Sequence, residues 1–136
     1  MKKIIGYTQG AFDSLHYGHV RLLKNAKLQC DYLIVGVNSD ALIEKYKNTK
    51  TIIKENERKE IVESIKYVDK VLVVNTLDKD YLYHLLHFDK IFIGDDWKGS
   101  KRWENTEKQL SKYGVPVVFL PHTDGISTTM IKEMSK

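Results

Sequence analysis

Two histidines, three residues apart, flank a glycine in the run His16-Tyr17-Gly18-His19, and this run follows Gly10-Ala11-Phe12-Asp13. At a helix N-terminus that spacing sets both imidazoles on one side of the first turn, beside unpaired N–H groups and the positive end of the helix dipole. Gly10 and Gly18 carry no side chain that would hold a ligand off. The arrangement suits phosphate. When a phosphate attacks the α-phosphate of a nucleotide, the nucleophile is already an anion and needs no general base. Catalysis then reduces to aligning the anions and neutralising charge in the transition state, which two imidazole donors can do. Helix capping and metal ligation are the other roles open to such a pair, and Gly18 between them favours phosphate.

These residues need a strand before them and a helix after them. Lys3 to Thr8 reads as a short buried strand, and from His19 the apolar Leu22, Leu23 and Ala26 fall at helical spacing. Tyr32 to Val37 is a second strand, followed by Asn38-Ser39-Asp40 as candidate caps for a helix over Ala41 to Tyr46. Lys47 to Lys54 has no period and reads as a mobile basic loop. Glu57 to Tyr67 predicts a helix presenting Ile61, Ile65 and Val68 on one face. Next come a strand Lys70 to Val74, a helix Asp78 to Phe88 and a strand Lys90 to Gly94. A helix Trp103 to Tyr113 ends at Gly114, a strand Val115 to Leu120 passes through Pro116, and a last helix runs from Ser127 to Met134.

Five apolar strands alternating with helices predict one α/β domain over residues 1–136, a Rossmann-like parallel sheet with helices on both faces. Ligands of such sheets bind outside the carboxyl ends of the strands, where the strand order reverses. The segments Gly10 to Gly18, Asp95 to Gly99 and Pro121 to Thr129 leave those ends.

Composition narrows the partners. Lys and Arg number 22 against 18 Asp and Glu, a net +4 that suits an anionic small molecule. The basic residues are interspersed with acidic ones, which argues against nucleic acid. No apolar run approaches the roughly 20 residues of a membrane span, and none reads as a signal peptide, so a cytoplasmic protein is expected. Cys30 is the only cysteine and reads as a plain buried thiol, without disulfide or thiolate cluster.

With GxFD and HxGH in place, the chain resembles the cytidylyltransferase branch of the HxGH nucleotidyltransferases, and within it the glycerol 3-phosphate cytidylyltransferases. Gly94-Asp95-Asp96-Trp97, the segment Glu57-Arg58-Lys59 leading to Ile65-Lys66-Tyr67-Val68-Asp69, and Thr123-Asp124-Gly125-Ile126-Ser127-Thr128-Thr129 carry the likeness along nearly the whole chain. The resemblance implies CTP as donor, glycerol 3-phosphate as acceptor, Mg²⁺ carried with the CTP, no protein metal site, a homodimer, and a product used in teichoic-acid-like or capsular polymers.

Position by position, the resemblance sets Gly10, Ala11, Phe12, Asp13 and Gly18 around the ribose and phosphates and His16 and His19 at the α-phosphate. It puts Asp95, Asp96 and Trp97 by the cytosine, where a carboxylate accepts from the exocyclic amine and an indole packs beside the ring. Ser127, Thr128 and Thr129, with Thr123, Gly125 and Ile126, resemble the family's triphosphate cradle. Lys45 and Lys47, with Lys50 as substitute, fall where the family neutralises pyrophosphate, and Arg58 is expected on the acceptor phosphate or the triphosphate.

Two positions depart from the pattern: Ala11 stands where Thr, Val or Ile is usual, and His122 where the family has Arg. Losing a permanent bidentate cation at residue 122 bears on the acceptor, not the reaction class. Phosphocholine, phosphoethanolamine or another polyol phosphate, ATP as donor, and a non-catalytic nucleotide sensor are the alternatives. His84 and His87 have metal-ligand spacing without a third partner, and Glu133-Met134-Ser135-Lys136 matches a synthetase loop only by coincidence.

Overall fold

The computed structural model describes residues 2–121. Chain order is β1 (Ile5–Gly10), α1 (Tyr17–Lys27), β2 (Tyr32–Asn38), α2 (Asp40–Lys47), α3 (Glu55–Glu63) and β3 (Lys70–Val74). It continues with α4 (Lys79–Leu86), β4 (Lys90–Gly94), a 3-10 turn (Asp95–Trp97), α5 (Lys101–Ser111) and β5 (Val117–Leu120). The last helix expected from Ser127 to Met134 lies outside the described residues, as do His122, Thr123, Gly125, Ile126, Ser127, Thr128 and Thr129.

All five strands are parallel, in the order β3-β2-β1-β4-β5. The chain steps outward from β1 to β3, then crosses back to β4 on the other side of β1. The carboxyl ends of β1 and β4 therefore flank the crevice where ligands of such sheets bind.

Alternation along the strands builds two cores. Leu33, Val35 and Val37 of β2 pack with Leu23 and Ala26 of α1 and Val62 of α3 on one face. Tyr7, Ile34 and Ile91 pack with Leu82 of α4 and with Trp103 and Leu110 of α5 on the other. The near-continuous apolar run of β2 is what a strand covered on both sides requires.

β1 lies two residues further along than its apolar run predicts. Gln9 and Gly10 belong to it because they pair in register with Gly36 and Val37 of β2. α3 starts and stops earlier than predicted: its buried residues are Arg58 and Val62, and Ile61 is 37% exposed. Ile65 and Val68 reach the core from the turns after the helix, not from its face. β5 is shorter than expected, with the N–H of Val115 still tied to the carbonyl of Leu110. Cys30 is half-buried instead of buried, and its thiol donates to the Ala26 carbonyl at 3.4 Å. His84 is exposed beside Tyr113, and among the described residues no three metal-ligating side chains converge.

Candidate active site

The turn from β1 into α1 is built on unusual backbone. Phe12 and Ser14 both have positive φ, at 52° and 63°, a conformation that L side chains adopt at a cost. A Cβ on Gly10 would stand 3.2 Å from the Phe12 ring, so a side chain there would press on the ring that anchors the turn. Phe12 is buried, with its ring 5.5 Å from that of His19.

His16 is the N-cap of α1. Its Nδ1 accepts the N–H of Gly18 at 3.0 Å, and the Nδ1 of His19 accepts the N–H of His16 at 3.2 Å. The two side chains thus form a reciprocal capping box, with rings 4.1 Å apart. Because each Nδ1 accepts a backbone N–H, the network assigns the remaining proton of each ring to Nε2, leaving both as neutral donors. Burial lowers the pKa of His16; burial, and then the charge of His16, lowers that of His19 to about 4. Capping and phosphate donation, alternatives at the level of sequence, use different nitrogens of the same rings.

His19 and the segment Gly10 to Asp13 line a cleft of about 290 Å³ at the carboxyl ends of the strands. Lys47, Thr49 and Lys50 bound it on the α2 side, and Trp97, Arg102 and Trp103 on the β4 side. Asp13 anchors the loop after α2: its carboxylate accepts the N–H groups of Ile52 and Ile53 at 2.8 and 2.9 Å. The Arg102 guanidinium lies over the Trp97 ring, 4.9 Å from its centroid, with Trp97 41% exposed. A half-buried amide network supports the floor: Gln9 donates to Asn38 at 2.8 Å and to the Thr76 carbonyl at 3.0 Å, and Asn38 donates to the Tyr46 hydroxyl at 3.0 Å.

Residues 7–134 match the family described as cytidylyltransferase-like. The chain belongs to that family. It is 40% identical over 136 residues to the glycerol-3-phosphate cytidylyltransferase of Bacillus subtilis, covering 98% of this chain and 96% of that one. It is 37% identical over 134 residues to the enzyme of the same name from Staphylococcus aureus, covering 98% and 94%. Among solved structures, a lipopolysaccharide core biosynthesis protein from Thermoplasma volcanium superposes with a TM-score of 0.79 at 27% identity, over 90% of this chain and all of that one.

Within this cytidylyltransferase-like framework the structure brings Gly10, Ala11, Phe12, Asp13, His19, Lys47 and Trp97 to one cleft. His16 does not line it directly and meets it through its ring contact with His19. Gly18 holds the second position of α1 and gives its N–H to His16. Lys45 is exposed and points to no wall of the cleft, whereas Lys50, its substitute, does line it. Asp95 and Asp96 form the 3-10 turn with Trp97, and only Trp97 of the three lines the cleft.

Arg58 requires a correction. Expected on the acceptor phosphate or the triphosphate, it is a fully buried tie, 0% exposed. It donates to the carbonyls of Ile53, Ala11 and Asn38 at 2.8, 2.6 and 2.7 Å and to the Asp40 carboxylate at 2.7 Å. With those donors taken, it holds together the histidine turn, the end of β2 and the basic loop.

Sequence reasoning missed Gln9, Asn38, Tyr46, Lys79, Arg102 and Trp103 among the cleft residues. One signal was present: Gln9 and Asn38 are polar residues ending otherwise apolar strands. Nothing local marked Lys79.

Proposed function

We propose that this chain transfers CMP from CTP to glycerol 3-phosphate, giving CDP-glycerol and pyrophosphate. The reading is carried by its likeness, along nearly its whole length, to enzymes named for that activity. An oxygen of the acceptor phosphate attacks the α-phosphorus of CTP, and the bond to the bridging oxygen of the β-phosphate breaks, so pyrophosphate leaves with the electron pair. No proton need be removed from the nucleophile. The Nε2–H donors of His16 and His19 stabilise the charge on the α-phosphate in the transition state, as neutral rings by hydrogen bonding and without a full positive charge. Lys47 and Lys50 stand by the leaving pyrophosphate, and Trp97 with Asp96 by the cytosine.

Mg²⁺ enters with the triphosphate. The donors lining the cleft include the His19 imidazole, the side chains of Lys47, Lys50 and Arg102 and the amides of Gln9 and Asn38, and its carboxylate, Asp13, is engaged by the loop. Such a set suits phosphate oxygens that already carry the ion, which when bound supplies further charge neutralisation. A homodimer in the cytoplasm, feeding a teichoic-acid-like or capsular polymer, completes the reading. No helix among the described residues is long and apolar enough to cross a membrane.

Pyrophosphate release with Mg²⁺ tests the proposal, with CTP and ATP each offered glycerol 3-phosphate, phosphocholine, phosphoethanolamine and ribitol phosphate. Turnover with CTP and glycerol 3-phosphate alone is expected; release with another pair moves the substrate, and release with none sinks the reading. H16A should cut kcat by about 100-fold to 1,000-fold, the usual loss for one transition-state donor, while CTP binding by calorimetry changes little.

A further inference from the structure

Tyr7, Gln9, Asn38 and Tyr46 form a chain of hydrogen bonds from the core to the cleft, and one carbonyl sets its direction. The Thr76 carbonyl can only accept, so the atom of Gln9 that faces it at 3.0 Å is Nε2. Gln9 Oε1 is then left to take the Tyr7 hydroxyl at 2.6 Å, and Nε2 gives a second hydrogen to Asn38 Oδ1 at 2.8 Å. With Oδ1 accepting, Asn38 presents Nδ2, which donates to the Tyr46 hydroxyl oxygen at 3.0 Å. Tyr46 therefore receives a hydrogen bond through its hydroxyl and, among the described residues, gives none.

The fold makes room for this chain. Tyr7 is fully buried, and a Cβ on residue 36 would stand 2.1 Å from its hydroxyl, so Gly36 leaves the space in which that hydroxyl reaches Gln9. Burial holds the Tyr7 phenol well above its ordinary pKa, so it stays a donor. Asn38 is buried as well, with its backbone carbonyl held by Arg58. At the far end Tyr46 is half-buried in the last turn of α2 and lines the cleft. The Lys47 ammonium lies over its ring, 5.7 Å from the centroid, and Lys47 and Lys50 line the cleft beside it. A phenol O–H is an uncharged donor, and among ammonium groups it suits an oxyanion.

We propose that the Tyr46 hydroxyl donates to a phosphate oxygen on the pyrophosphate side of the nucleotide, and that Gln9 and Asn38 are positioning residues that turn its hydrogen toward the cleft. This rests on the nucleotidyl transfer proposed above. Were the Asn38 amide turned the other way, its Oδ1 would take the Tyr46 hydrogen, and the ligand would meet a lone pair that repels phosphate. The direction of one amide thus decides whether Tyr46 attracts the triphosphate or opposes it. Lys47 and Lys50 bring charge on flexible stems, whereas Tyr46, tied to the core, gives the phosphate a fixed point.

Calorimetry on the full chain tests this, with CTP and Mg²⁺ and separately with inorganic pyrophosphate and Mg²⁺. Y46F keeps the ring and its contact with Lys47 and removes only the hydroxyl. It should weaken both ligands by about 10-fold or more, the loss of a hydrogen bond to a charged group. N38D keeps the shape of the side chain but puts an oxygen where Nδ2 stood, so Tyr46 turns its hydrogen away from the ligand. A loss at least as large as that of Y46F is expected, and the double variant N38D/Y46F should bind no more weakly than N38D alone, because both changes remove the same donor. Losses that multiply in the double variant would assign the effect of N38D to its charge and overturn the positioning role. Unchanged binding by Y46F overturns the whole proposal, and decides it unaided if N38D fails to fold; so does a wild type that binds neither ligand. Turnover of glycerol 3-phosphate by the wild type judges the reaction separately. An inactive wild type whose pyrophosphate binding is weakened by Y46F refutes that reaction and keeps the Tyr46 contact, and an active one with unchanged binding does the reverse.

Discussion

Two buried cations, Arg58 and Lys79, lie near the same cleft and are treated in opposite ways. Arg58 has three carbonyls and a carboxylate around its guanidinium. Lys79 has one carbonyl and the face of an indole. Burying a charge is tolerable when its partners are complete, and Arg58 has spent its donors on the scaffold. An incomplete partner set leaves donors for something outside the chain. Exposure alone would have ranked the two residues together; their unmet hydrogen-bonding capacity separates them.

The largest effect should come from R58M. Removing that guanidinium leaves three carbonyls and the partly exposed carboxylate of Asp40 without their donor, and loosens the histidine turn from the end of β2. A loss of about 3 kcal/mol or more in unfolding free energy is expected, read from urea melts as a lower midpoint with an unchanged slope. A mild effect would mean that Arg58 is not the tie its contacts describe.

The histidine pair gives an intermediate effect, through pH. Folding holds His19 near pKa 4 against an ordinary value of 6.5, so between those values the unfolded chain binds protons that the folded chain does not. Stability should be constant above about pH 6.5 and fall as the pH drops toward about 4, by about 2 to 3 kcal/mol, followed by urea midpoints across that range. The physical event is protonation of an Nδ1 that caps a backbone N–H. H19Q, which cannot take up that proton, should flatten the curve; an unchanged curve would assign the dependence to other groups.

K79M sharpens the comparison by doing almost nothing to stability. Losing the bond to Leu77 is offset by removal of a desolvated charge at a helix N-terminus, so the change should stay within about 1 kcal/mol by the same urea measurement. A loss as large as that of R58M would erase the distinction between the two cations.

How much of this was legible beforehand follows sequence distance. The histidine turn was readable because its residues are contiguous: a strand, a glycine-flanked turn and the first turn of a helix are local structures with local rules. The strand order was also within reach, since parallel strands with helical crossovers leave few arrangements. Arg58 was misread because an arginine after a basic loop looks like a phosphate ligand. Its four acceptors stand on residues 11, 38, 40 and 53, which only the fold brings together. Lys79 gave no signal because a lysine at the start of an exposed-looking helix is ordinarily solvated.

The sequence by itself therefore determined the class of fold, the place of the histidine turn between strand and helix, and the family, all of which depend on residue types at short spacing. Only the tertiary structure decided which cations are scaffold and which face the cleft. It also decided that the two histidines carry their protons on Nε2, and that Asp13 serves the loop with its carboxylate. Those outcomes depend on desolvation and on hydrogen-bond partners far apart in the chain, and neither quantity exists before the chain has folded.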